Sequence, residues 1–212
     1  MRSRSSSRER IMNAAEQVVL KEGATHMTLD AVAFKAGVSK GGLMYHFPSQ
    51  DALLRAMMQR FIERMETRQA DIYSGLPKDA ARGIVAYILS WFSLCEKDRR
   101  IASALLAAAT RAPELMSTAK DAYRRTLATL INDRMNPERR AIIALATDGM
   151  WLMGLLGMQP FTVPKRKRIK AELLNLAREW CGVENDATAR KARTRHGSKT
   201  RRQLHIRAVA KE

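Results

Sequence analysis

Between Thr28 and Phe47 the chain carries a set of residues that a helix built only for stability would not select. The run Gly37-Val38-Ser39-Lys40-Gly41-Gly42-Leu43-Met44-Tyr45-His46-Phe47 puts two glycines in the first turn of a short helix. Each costs about 1 kcal/mol relative to Ala in a helix interior. A helix whose backbone must come close to another surface has a use for them. Lys40 offers a donor for a base edge or a phosphate, and Tyr45 and His46 offer polar tips for a sugar-phosphate backbone. Gly37 is free to adopt the positive φ of a tight helix-to-helix turn, and Ser39 can cap the helix that follows. The chemistry these types and spacings support is recognition of duplex DNA in the major groove.

A second candidate is Asp148, the one charge inside the apolar run 141–158. Eighteen residues reach the lower limit of a membrane span. A carboxylate near the middle costs about 2.5–3.5 kcal/mol on insertion scales, and basic residues flank both ends without asymmetry. A helix buried on one side by its own domain and on the other by a partner subunit is the better reading, with Gly149, Gly154 and Gly157 permitting close approach. Asp148 is then either a hydrogen-bonded carboxylate or the counter-charge of a cationic effector. In the second case Trp91, Phe92, Tyr123 and Trp151 would supply a soft aromatic pocket. Each of them is also an ordinary core residue.

Catalysis finds no foothold. There is no Gly-rich phosphate loop, no Ser/His/Asp order and no paired-carboxylate signature. Cys95, Cys181 and four scattered histidines have no metal-ligand spacing and form no disulfide framework. No catalytic residue, metal or cofactor is expected, and the absence of an apolar leader points to a reducing cytoplasm.

The elements that must position these residues all read with helical period. Ile11, Ala14, Ala15, Val18 and Val19 share one face, ended by Gly23. Leu29, Val32, Ala33 and Ala36 repeat at i, i+3, i+4, i+7 and stop at Gly37. After Ser39 comes the third helix, broken at Pro48. Ser49 opens a long fourth helix through Leu53, Leu54, Met57, Met58, Phe61, Ile62 and Met65 to the break at Gly75-Leu76-Pro77. Ile84, Ile88, Trp91, Phe92 and Cys95, then 101–109, then Leu115 to Ile131 continue the pattern. Pro137 starts an apolar helix running to Met158, and Pro164 starts the last, through Trp180 to Gly182. The expectation is an all-α chain of about nine helices. It divides into a basic arm at 1–10, a helix-turn-helix head at 11–48, a helical effector-binding and dimerisation domain at 49–182, and a basic disordered tail at 183–212.

Charge is concentrated at the ends. The net charge is +17, of which 1–10, 165–170 and 183–212 together hold +14. A surplus of that size points to a polyanion, either nucleic acid or an anionic membrane surface. The body itself is nearly neutral.

The segment Gly37 to Ser49, preceded by the Ile11–Gly23 helix and Thr28-Leu29, resembles the N-terminal domain of TetR/AcrR-type transcriptional regulators over about residues 8–62. The resemblance implies a homodimer with a three-helix DNA-binding head and a larger ligand-sensing body that represses a nearby promoter until a small molecule releases it. It places Thr28 on a phosphate, Ser39, Lys40, Gly41 and Met44 on bases or the flanking backbone, and Tyr45 and His46 on phosphates. Gly42, in the same turn, is counted among the DNA-binding residues, and Leu43 and Phe47 fall on the head's core. Met44 stands where many members have Tyr, leaving only an apolar contact to a thymine methyl. Gln50 stands where many have Lys, which weakens backbone anchoring, although a helix N-terminus still attracts phosphate.

The implied partners are a palindromic DNA operator, a second copy of the chain and a small-molecule effector, lipophilic or cationic, with no membrane. The competing reading is an architectural, chromosome-associated DNA binder without effector control. The 104 residues of 79–182 are far more than a dimer seam requires, which argues against it.

Overall fold

Ser6 opens the first helix, its hydroxyl oxygen accepting the Glu9 N–H at 3.2 Å. In this computed structural model, which describes residues 6–23, 26–110, 113–130 and 135–182, α1 therefore runs Ser7–Glu22. It starts four residues before the first apolar position, so Arg8 and Arg10 belong to a helix and not to an arm. Apolar periodicity is blind to a polar capping turn, and Glu9 three residues after Ser6 completes the signature of a capped start. The N–H of Gly23, at φ 83°, bonds to the Val19 carbonyl and closes the helix.

The next three helices are each opened by a hydroxyl. Thr28 caps α2 (Leu29–Ala36), Ser39 caps α3 (Lys40–His46) and Ser49 caps α4 (Gln50–Gly75). The cap bonds are 3.0–3.1 Å, and each such cap stabilises its helix by about 1 kcal/mol over Ala. Gly37 takes the left-handed conformation, φ 65° and ψ 41°, that lets α2 stop and the chain turn into α3.

Beyond α4 come α5 (Arg82–Phe92), α6 (Glu96–Ala109), α7 (Leu115–Thr129), α8 (Pro137–Leu155) and α9 (163–182). The described residues are thus all-α, nine helices without a strand. Cys95 does not extend α5; it occupies the N-cap position of α6. Asn136 and Pro137 start α8, Oδ1 of Asn136 accepting the N–H groups of Glu138 and Arg139. The same helix ends at Leu155 rather than Met158, because Gly157 turns at φ 68° and the Met158 N–H bonds back to Met153. Ile131 and the basic segment 183–212 lie outside the described residues.

Two cores hold the helices. The first gathers Ile11, Ala15, Val32, Leu43, Phe47, Leu53 and Met57 under the head. It continues along α4 through Met58, Phe61 and Ile62 to Ile101 and Leu105 of α6. Burying a side chain such as Leu43, with no exposed surface, is worth about 1.5–3 kcal/mol. The second core packs α5, α8 and α9 through Tyr87, Ile88, Ile143, Ala144, Leu173 and Ala177. With 26 residues, α4 is longer than the head needs, and it packs against α1 as well as α5, α6 and α7. Among the described residues no helix is long and apolar enough to cross a membrane. The inner face of α8 is buried at Ile143, Ala144 and Thr147. Its outer face is not buried in the single chain, where Ile142, Leu145, Leu152, Met153 and Leu156 stand open.

Candidate nucleic-acid interface and ligand site

The short helix α3 is anchored by two side chains and otherwise open. Leu43 and Phe47 sink into the head's core, and Arg8 of α1 lies over the Phe47 ring at 5.3 Å. On the other side Tyr45 is 86% exposed and Met44 44% exposed. Lys40, Gly41 and Gly42 are exposed as well, while His46, half-buried, sets its ring edge-on to Tyr45 at 5.2 Å. One helix face therefore presents a cation, bare backbone, a thioether, a phenol and an imidazole to whatever approaches. Arg8 brings an exposed cation to the C-terminal end of α3, a residue the sequence pattern had assigned to the basic arm at 1–10.

The two glycines separate on inspection. A Cβ on Gly41 would meet nothing within 4 Å. The fold leaves room for a side chain at this position. A Cβ on Gly42 would sit 3.2 Å from Ser39 Oγ. The cap contact explains Gly42 from within. Thr28 and Ser39 each spend a hydroxyl lone pair on a helix N–H, of Ala31 and of Gly42, and both side chains are exposed with the O–H still able to donate to a phosphate. Lys40 is engaged: its Nζ lies 3.0 Å from Asp30 Oδ2 on α2.

The five residues expected to line one ligand pocket divide between two places. Asp148 is flanked by phenols, accepting hydrogen bonds from Tyr87 Oη and, at 2.7 Å, from Tyr123 Oη. Burial pushes the Asp148 carboxyl above the ordinary aspartate range, and the two phenol donors offset part of that. Burial, with the carboxylate beside them, pushes both tyrosines well above the usual phenol range. Asp148 is thus a hydrogen-bonded carboxylate at the junction of α5, α7 and α8. Tyr87 was missed because, in sequence, it is one more aromatic on the apolar face of α5.

Trp91, Phe92 and Trp151 stand elsewhere. The two indoles pack at 4.5 Å between centroids, and with Phe92 they line a cavity of about 300 Å³ that does not include Asp148 or Tyr123. Thr147, Met150, Trp151 and Gly154, one stripe of α8, form a wall, and Arg99, Arg166, Lys167 and Lys170 surround it. The Tyr87 and Trp91 rings, edge-on at 6.3 Å, join the two places through α5.

Between head and body, Glu16 of α1 is buried among three cations. Arg64 Nη1 is 2.5 Å, Lys97 Nζ 3.0 Å and Arg60 Nη1 3.7 Å from its carboxylate. Burial alone would raise its pKa; Lys97, Arg64 and Arg60 reverse that and hold it below the ordinary range. Asp98 of α6 likewise accepts from Cys95 Sγ and Arg68 Nη2, which outweigh burial and hold it low.

Residues 11–57 match the family model for bacterial regulatory proteins of the tetR family, and residues 79–178 match that for the tetracyclin repressor-like C-terminal domain. The HTH-type transcriptional regulator BetI of Stenotrophomonas maltophilia is 28% identical over 172 residues, covering 76% of this chain and 88% of that protein. Among solved structures, a transcriptional regulator from Saccharomonospora viridis in complex with choline superposes with a TM-score of 0.67 at 19% identity. It covers 81% of this chain and 97% of the other. The multidrug binding protein EbrR complexed with ethidium superposes with a TM-score of 0.59 at 24% identity, covering 79% and 98%. Both share this fold.

Proposed function

The chain belongs to the TetR family of DNA-binding transcriptional regulators, and from that premise we propose that it is a homodimeric repressor that leaves a palindromic operator when a small molecule occupies its body. The observation that carries this reading is the first turn of α3. Gly41 is exposed, has room for a side chain and lacks one, which suits a backbone that must lie against the floor of a major groove. Thr28, Ser39, Lys40, Met44, Tyr45 and His46 surround that point with hydroxyls, a cation and polar rings.

Dimerisation is supported by the outer face of α8. Leu145 is 65% and Ile142 57% exposed, and Leu152, Met153 and Leu156 extend the stripe. A second copy laid on the same stripe would remove it from water. The effector reading rests on Asp148, an acid in an aromatic setting that suits a cationic group. Choline and ethidium, bound by the two structural neighbours, are both cations, which favours the same chemistry here. Such a repressor acts on duplex DNA in the cytoplasm.

Selection from a pool of random duplexes tests the reading. Repeated capture by the purified chain enriches one inverted repeat, and a set of lipophilic cations weakens its capture. Enrichment without a common sequence would instead describe an architectural binder.

A further inference from the structure

The cavity between α5, α8 and the start of α9 has a chemistry opposite to that of Asp148. Its floor is the Trp91–Trp151 pair, two indoles inclined at 49° to each other. Its rim carries Arg166, Lys167 and Lys170 within the first turns of α9, and no acidic side chain lines it. Among the described residues none of these three has an acidic partner within 4 Å. Helix stability does not account for the arrangement. The N-terminal end of a helix carries positive partial charge and favours acids, while cations there repel it and one another.

Three buried polar atoms in the same wall lack a hydrogen-bond partner among the described residues: Trp151 Nε1, Arg166 Nε and Gln159 Oε1. The Gln159 amide nitrogen is already committed, donating to the Met150 carbonyl at 3.1 Å. Buried donors without acceptors are unfavourable unless something supplies the acceptor. Three cations around an aromatic floor in about 300 Å³ describe a ligand with an anionic head and an apolar body, at the lower end of small-molecule size.

We propose that this cavity is a binding site for a small amphipathic organic anion, an aromatic carboxylate or its like, with Arg166, Lys167 and Lys170 meeting the anionic group and the Trp151 ring the apolar body. It is a second site, and it does not depend on the reading of Asp148 as the seat of a cation.

The three indole N–H resonances of the 15N-labelled full-length chain provide the test, Trp151 being assigned with Trp151→Phe and Trp180 serving as an internal control. Titration with 2-naphthoate shifts the Trp151 signal saturably and leaves Trp180 unmoved. The neutral isostere 2-naphthylmethanol binds at least tenfold more weakly, as does naphthoate to Arg166→Gln and to Lys170→Gln, while Asp148→Asn binds naphthoate as the parent does. Equal affinity for the charged and neutral probes would overturn the proposal. So would unchanged binding in both cation variants, or no saturable shift at millimolar naphthoate. Inorganic phosphate alone, if it shifted Trp151 as strongly as naphthoate, would contradict the aromatic half of the claim.

Discussion

Lys40 Nζ lies 3.0 Å from Asp30 Oδ2, so the cation at the start of α3 is paired across the Gly37 turn with an acid in the first turn of α2. Both side chains are more than half exposed. An ion pair of that kind is worth at most about 1 kcal/mol, little enough for DNA to replace it. The free head thus holds Lys40 in place with a carboxylate that a polyanion would repel.

Lys40→Ala should weaken binding to the selected operator by about 1–3 kcal/mol and relax preference at one position, as loss of a base contact does. Asp30→Asn should tighten binding to all duplexes, because it removes a negative charge from the interface. Fluorescence anisotropy against single-base operator variants separates the cases. Uniform weakening by Lys40→Ala, with a salt slope smaller by about 0.9, would make Lys40 a phosphate contact.

Gly41→Ala should move stability and affinity in opposite directions. The added methyl has open space inside the free protein and should stabilise it by up to about 1 kcal/mol, yet it stands between α3 and the groove. Thermal unfolding rises while operator affinity falls. Gly42→Ala should gain less, since its methyl meets Ser39 Oγ at 3.2 Å. A Gly41→Ala protein that binds the operator undiminished would remove Gly41 from the interface.

Glu16 ties α1 to α4 and α6. Its side chain is only 3% exposed, and Glu16→Ala leaves three cations without their common partner, a loss of about 3 kcal/mol. Because its pKa is held below the ordinary 4.5, ionised Glu16 favours the folded state. That contribution is complete above pH 4.5 and fades as pH falls through the lowered folded value. Asp98 adds in the same direction. Thermal midpoints of the parent and Glu16→Ala, measured from pH 7 downward, should therefore converge in acid. A constant difference would show that the contribution of Glu16 is packing alone.

Asp148→Asn should keep dimerisation and operator affinity but abolish release by cationic ligands. Its pKa is raised by burial, so the sign is opposite to that of Glu16: the folded state favours the protonated acid. That contribution is complete below the ordinary aspartate value and is lost as pH rises through the raised one. A cation bound beside it favours the ionised form, and its binding should strengthen with pH over that window. Calorimetric titration with a lipophilic cation at several pH values reads this directly. Unchanged release in Asp148→Asn would leave the carboxylate as a structural hydrogen-bond acceptor between Tyr87 and Tyr123.

Helices were legible because each buries one face, and the spacing of Leu29, Val32, Ala33 and Ala36 states that face outright. The Gly37 turn and the hydroxyl caps were legible because only certain residue types satisfy a helix start or a positive φ. What the sequence hid is what depends on two helices at once. The start of α1 lay in a polar serine run. Nothing in the run 30–40 says that Lys40 turns back to Asp30. Trp91, Phe92, Tyr123, Asp148 and Trp151 look like one aromatic pocket in sequence. They separate because positions 147, 150, 151 and 154 share one face of α8, while Asp148 faces the tyrosines of α5 and α7. In the sequence the cations 165–170 are only part of a surplus charge; the packing of α9 beside α8 is what places three of them around an aromatic floor.

Two heads related by twofold symmetry should read one operator. Hydroxyl-radical footprinting on the selected duplex, with the chain-to-DNA ratio measured by sedimentation, tests it most directly. Two protected half-sites related by a dyad are expected, their major-groove centres separated by whole helical turns of about 34–36 Å, with an even number of chains per duplex. A single asymmetric patch protected by one chain would contradict it.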